Sequence, residues 1–201
     1  MKSFPKTDVS LICDMSSDIF SRQLDFSQFD LIYAGAQKNM GPAGATLVVV
    51  KNDILGKVDR AIPSMLDYQV HIGKDSMFNT PSVFAVYVSM LTLQWLKDLG
   101  GIPFIERVNE KKADLFYGEI DRNPLFHGAV AIEDRSFMNA TFTLADENLK
   151  EKFDTLWTDA RINGLHGHRS VGGYRASMYN ALPLHSVQTL VDVMRELERT
   201  A

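Results

Sequence analysis

The segment that most restricts the fold is the pair of apolar runs on either side of Lys38. Asp30 to Gln37 reads as a strand of Leu, Ile, Tyr and small residues. The chain then turns through Lys38, Asn39, Met40, Gly41, Pro42, Ala43 and Gly44, and resumes as a second apolar strand from Ala45 to Val50. An ammonium between two buried strands, with Gly35, Ala36, Gly41, Ala43 and Gly44 beside it, has neighbours too small to fill space, and that combination suggests a ligand.

Two explanations fit Lys38. It is an ordinary solvated lysine on a hairpin loop, or it is an amine held as an imine to an aldehyde cofactor. The second needs a desolvated amine of lowered pKa and backbone that lets a flat ring come close. The stretch before it bears on the choice. Val9 to Cys13 is a nearly continuous apolar run, as in a central parallel strand buried on both faces, and it ends at Asp14. In open α/β sheets ligands sit outside the carboxyl ends of the strands, so Asp14 either points into that crevice or caps the turn of Met15, Ser16 and Ser17. Two consecutive buried strands thus deliver an acid and an amine to one sheet edge. In pyridoxal phosphate enzymes a lysine carries the cofactor while a carboxylate keeps its pyridine nitrogen protonated.

Composition excludes several other classes. With 45% hydrophobic and 23% charged residues, a net charge of -4 and one cysteine, the chain offers no basic surface for nucleic acid or an anionic membrane and no cysteine metal cluster. Cys13 reads as core. The longest apolar segment is broken by Gln94 and Lys97, and Met1 to Asp8 lacks the apolar stretch of a signal peptide, so a cytoplasmic metabolic protein is expected.

After Val50, Lys51 to Lys74 reads as surface connection with a short helix near Asp53. A long helix follows, with Thr80 as N-cap, Pro81 at its first position and Gly100 and Gly101 ending it. Its apolar residues run nearly all the way round, which predicts burial in a sheet layer or a subunit interface. Its N-terminus, with Asn79 and Thr80, is a weak candidate phosphate site. A second helix is expected over 102–122, with Ile105, Val108, Lys112 and Leu115 on one stripe, and the domain boundary is placed at 110/111. Beyond it, 126–132 and 137–144 read as strands. Helices follow over 147–162, capped by Asp146, and over 184–198. Between these helices, Gly167 to Ser177 reads as a glycine-loosened loop. Its His168, Arg169 and Arg175 either converge on an acidic ligand or form a solvated basic loop.

Four stretches, in order along the chain, closely resemble phosphoserine aminotransferases, class V, fold-type I pyridoxal phosphate enzymes. They are Asp14 to Ser17, Gly35 to Gly44, Phe78 to Ser82 and His168 to Ser177. The resemblance implies an α/β fold: part of a fold-type I large domain over 1–110, then a small C-terminal α/β domain over 111–201. It implies transamination between L-glutamate and 3-phosphohydroxypyruvate giving O-phospho-L-serine and 2-oxoglutarate, with a related step toward pyridoxine in many bacteria. It makes Lys38 the Schiff-base lysine and proton carrier and Asp14 the partner of the pyridinium. Gln37 becomes a contact of the cofactor phosphate, and Asn79 and Thr80 contacts of the neighbouring subunit's cofactor in a homodimer. Arg175 becomes the clamp of the substrate α-carboxylate, and His168 and Arg169 the ligands of its distal anion. The family's chain is longer and this sequence resembles its C-terminal portion, so weak cofactor binding and little turnover are expected of the chain alone. Another class V enzyme, or an inactive dimerisation fragment, are the alternatives.

Overall fold

A computed structural model describes residues 4–201; the first three residues of the Met1–Asp8 segment lie outside them. The chain is mixed α/β and divides into two compact units, Pro5–Gly101 and Ile102–Ala201, with Phe4 grouped with the second. The expected boundary at 110/111 falls inside a helix.

The first unit holds a three-stranded sheet in the order β1 (Ile12–Asp14), β2 (Leu31–Gly35), β3 (Thr46–Val50). β1 and β2 are parallel, with Asp14 beside Tyr33; β2 and β3 are antiparallel, with Gly35 opposite Thr46. β1 is parallel as expected but not buried on both faces: among the described residues it pairs with β2 alone, and Ile12 is 60% exposed. Cys13, expected in the core, is half-buried. The core beneath the sheet is built from Met15, Ile19, Phe29, Ile32, Ala34 and Met40.

The connection after β3 contains a 3-10 turn at Asn52–Ile54, another at Ser64–Leu66 and the short helix α1 (Tyr68–Ile72), capped by Asp67. The long helix α2 spans Val83–Asp98. It starts later than expected: Ser82, not Thr80, is the N-cap, its carbonyl accepting the first helical bond from Val86 N at 3.1 Å. Gly100 and Gly101 end it with φ of 106° and 70°, a conformation that glycine adopts without a Cβ clash. α2 is also not buried within this chain. Ala85 and Leu96 face inward, whereas Val83 and Phe84 are 70% and 71% exposed.

Helix α3 (Gly101–Arg122) leads into the second unit, which continues with β4 (Phe126–Gly128), β5 (Asn139–Leu144), α4 (Lys150–Asp159), β6 (Tyr174–Ser177) and α5 (Leu184–Thr200). The antiparallel sheet has the order β4-β5-β6. The alternation in β5 puts Ala140, Phe142 and Leu144 into the core, and the stripe of α5 buries Val187, Leu190, Val191, Met194 and Leu197. Phe142 packs edge-on against Phe116 and stacks with Tyr174, at centroid distances of 5.4 and 5.3 Å. Each such side chain contributes on the order of 2 kcal/mol by leaving water.

α3 buries two charges. Glu119 is wholly enclosed. Burial pushes its pKa up, but Arg122, Asn123 and Arg195 donate to the carboxylate and hold it below the ordinary value. Lys112 is likewise enclosed, and its Nζ donates to the carbonyls of Met178, Tyr179 and Leu182. The expected strand 126–132 ends at Gly128, and 167–177, read as a loop, contains β6.

Candidate active site

β1 and β2 run parallel, so their carboxyl ends lie at one edge of the sheet. Asp14 is the last residue of β1, and Gln37 and Lys38 come two and three residues after the end of β2 at Gly35. Asp14, Gln37 and Lys38 are all exposed at this edge. Asp14 makes the turn considered for it: its Oδ1 accepts from Ser16 N at 2.8 Å. Its carboxyl is held below the usual aspartate range first by the Ser16 side chain and amide, then by the Tyr33 phenol and the Lys38 ammonium. The Lys38 charge therefore acts on Asp14, while among the described residues no ion pair joins them. Lys38 and Asp14 are both exposed, and Asp14 keeps acceptor capacity beyond its bond from Ser16 N.

The small residues around Lys38 serve a purpose that sequence reasoning missed. A Cβ on Gly41 would stand 2.9 Å from Ser89 Oγ and 3.2 Å from Ser89 N. One on Gly44 would stand 3.1 Å from Ser82 Oγ and 3.2 Å from the Ala85 Cβ. The glycines thus let the lysine turn lie against α2, and Gly44 also takes a φ of 122°. A Cβ on Gly35 would meet the folded-back side chain of Gln37. Their smallness is accounted for by packing within the chain.

Two tethers hold this edge together. Gly35 N donates to Ser16 Oγ at 3.0 Å, and Asn39 Nδ2, beside Lys38 and buried, donates to the Ile19 carbonyl at 3.0 Å. Asn79 and Thr80 lie in the exposed segment before α2, where Asn79 Nδ2 donates to the Thr80 carbonyl at 3.2 Å.

The other candidates belong to the second unit. Arg175 stands on the outward face of β6, opposite Thr141 of β5, between the buried Tyr174 and Ala176. It lines a cleft of about 300 Å³ with Arg161, Leu165, Ser177 and Ser186. His168 and Arg169 do not line that cleft. They form an exposed turn in which His168 Nδ1 lies 2.7 Å from Ser170 Oγ, and the His168 carbonyl accepts from Val171 N and Gly172 N at 2.9 Å each. Arg161, absent from the sequence-based candidates, is the second cation of the cleft, with a left-handed φ of 59°. Tyr174 is fixed by Asp154, whose Oδ1 also accepts from Trp157.

The donor set at the sheet edge suits an aldehyde cofactor with a basic ring nitrogen: an ionised carboxylate to accept from the ring and an exposed primary amine to meet the aldehyde. Comparison with known proteins points the same way. The family model described as "Aminotransferase class-V" matches residues 1–190. The phosphoserine aminotransferase of Flavobacterium psychrophilum is 69% identical over 198 residues, covering 98% of this chain and 56% of the relative. The solved phosphoserine aminotransferase from Bacillus circulans subsp. alkalophilus superposes with a TM-score of 0.94 at 44% identity, over all of this chain and 56% of its own. The pyridoxal-phosphate-bound phosphoserine aminotransferase of Trichomonas vaginalis does so at 0.90 and 36%, over 96% and 56%. The chain thus spans a little over half the length of these relatives. With a family model matched along nearly its whole length, it belongs to the class-V aminotransferases.

Proposed function

We propose that this chain carries the cofactor-holding residues and the substrate arginine of a pyridoxal 5'-phosphate-dependent transaminase. The enzyme moves the amino group of L-glutamate to 3-phosphohydroxypyruvate, giving O-phospho-L-serine and 2-oxoglutarate in serine biosynthesis, and serves the related step of pyridoxine biosynthesis. The observation that supports this reading is the delivery of Asp14 and Lys38 to one edge of a parallel strand pair, close enough for the Lys38 charge to lower the Asp14 pKa. When bound, the cofactor supplies an electron sink for the pair left at the substrate Cα as its proton departs.

The chain's residues do the rest. Asp14, kept ionised by Ser16 and Tyr33, would accept from the cofactor's ring nitrogen and favour its protonated form. Lys38 Nζ would be the group that takes up the Cα proton and carries it during the transfer. Gln37 contacts the cofactor phosphate, and Asn79 and Thr80 contact that of the neighbouring subunit, which makes the working enzyme a homodimer. Arg175 binds the substrate α-carboxylate through its planar fork, and His168 and Arg169 take the distal phosphate or carboxylate. Residues 1–110 belong to the cofactor domain and 111–201 to a small C-terminal domain, in a cytoplasmic enzyme.

Mixing the purified chain with pyridoxal phosphate, reducing with borohydride and mapping peptides by mass spectrometry tests the assignment. A pyridoxyl group concentrated on Lys38 is expected, protected by phosphoserine more than by alanine or cysteine. Labelling spread evenly over surface lysines would overturn it, and preferential protection by alanine or cysteine would point to a different class V reaction.

A further inference from the structure

The strand pair that presents Asp14 and Lys38 is short, and its hydrogen-bond ladder stops before either residue's neighbourhood is secured. In β2 the polar groups of Tyr33 and Gly35 face β1, and those of Ala36 face β3: Met15 N donates to the Tyr33 carbonyl at 2.8 Å, and Ala36 N donates to the Ala45 carbonyl at 3.0 Å. The next rung toward β1 belongs to Gly35, but β1 has ended at Asp14. A side chain supplies that rung, since Gly35 N donates to Ser16 Oγ at 3.0 Å.

A hydroxyl that accepts through one lone pair still has its proton to give. The Ser16 amide donates to Asp14 Oδ1 at 2.8 Å, and the nearby Ser16 side chain helps to hold the Asp14 pKa below its ordinary value. One residue therefore holds the carboxylate through its amide and the end of the lysine-bearing strand through its hydroxyl. The reverse connection is made by Asn39, which is buried beside Lys38 and donates from Nδ2 to the carbonyl of Ile19, in the turn that follows Asp14. Ile19 N in turn donates to the Met15 carbonyl at 2.8 Å, so the acceptor is itself fixed to the residue after Asp14.

We propose that Ser16 and Asn39 are positioning residues, a reciprocal pair of side-chain tethers that sets the orientation of the Asp14 carboxylate and its separation from Lys38. The proposal deepens the transaminase reading and rests on it for its catalytic meaning, although the tethers themselves lie within one compact unit. Ser16 is the more informative of the two, because loss of its hydroxyl touches both Asp14 and Gly35 while leaving its amide bond to Asp14 in place.

The test uses the cofactor-free chain as well as the loaded one. In Ser16→Ala, carboxyl NMR should show the Asp14 titration moved up toward ordinary aspartate. The Gly35 amide should exchange faster by roughly three- to tenfold, the scale of one lost hydrogen bond. Ser16→Thr, which keeps a hydroxyl, should restore both, and an unchanged circular-dichroism spectrum and melting curve would separate positioning from folding. Asn39→Asp, which exchanges the donor amide for an acceptor, should slow pyridoxal phosphate capture at Lys38 by a similar factor. An Asp14 titration and Gly35 exchange rate unmoved in Ser16→Ala would overturn the proposal, as would failure of Ser16→Thr to restore them in a folded chain. Should Lys38 of the unaltered chain take up no pyridoxyl group, the transaminase reading falls, and the Asp14 titration still decides the role of Ser16.

Discussion

Lys112 Nζ donates to the Met178 carbonyl at 2.9 Å from a fully enclosed position on α3, and its two other protons go to Tyr179 and Leu182 at 2.9 and 3.2 Å. Burial lowers its pKa to about 8, while three carbonyl acceptors favour keeping the charge. The ammonium works as a clasp that folds the chain after β6 back onto α3. Lys112→Met, which keeps the bulk and removes the donors, leaves those carbonyls without this partner. It should lower unfolding stability by roughly 2–4 kcal/mol, read as a fall in the urea midpoint at constant slope.

Packing of the lysine turn on α2 makes a second prediction. Gly44→Ala must place a Cβ against Ser82 and Ala85 at a φ of 122°, and Gly41→Ala must push against the Ser89 backbone. Each should cost about 1–3 kcal/mol in thermal or urea unfolding and should reduce pyridoxal phosphate capture at Lys38 along with stability.

Lys38 itself carries no structural load of that kind. It is exposed and forms no ion pair among the described residues, so Lys38→Ala should leave unfolding stability within about 0.5 kcal/mol. The same variant should lose the concentrated pyridoxyl label entirely.

Asp154 supports a pH prediction. Burial raises its pKa, but Lys150, Tyr174, Trp157 and His166 together outweigh that and bring it to about 2 from 3.8. A carboxylate whose folded pKa is depressed stabilises the fold above its unfolded pKa and loses that contribution as pH falls through the folded one. The stability difference between the wild type and Asp154→Asn should therefore be about 2 kcal/mol above pH 4 and shrink toward pH 2, measured by denaturant midpoints across that range.

How far the sequence was legible depended on whether an element's neighbours were local. β5 and α5 read correctly because one face of each is covered by the unit it belongs to, so periodicity and burial coincide. The start of α2 was misplaced because Ser82, Thr80 and Pro81 all suit a helix entry. What distinguishes Ser82 is a tertiary relation, the bare glycine at 44 that its side chain faces. For α2 the expected cover was a sheet layer or a subunit interface, and within this chain Val83 and Phe84 stay exposed: an apolar stripe states that a surface prefers cover and is silent on what provides it. β6 was hidden by Gly172 and Gly173, whose φ of 77° and 62° do belong to a turn, and by an outward Arg175 that interrupts a four-residue strand. The placement of Asp14 at the end of β1 and of Lys38 just past β2 could be read because strand ends are visible as pattern changes. Ser16 and Asn39 looked like turn residues, since long-range hydrogen bonds leave no periodicity, and Arg161 had only an unremarkable helix end for context.

The close seat of Gly41 and Gly44 on α2 has a mechanical meaning. Met40 N and Gly41 N both donate to the Ala36 carbonyl, so the turn holding Lys38 is a stiff knuckle rather than a slack loop. Its footing is a helix whose opposite side is open to water. A side chain at either glycine would meet that helix, so these two positions set how closely the turn carrying Lys38 can approach it. The helix that leaves its outer face bare thus also serves, on its inner face, as the bed on which the lysine turn rests.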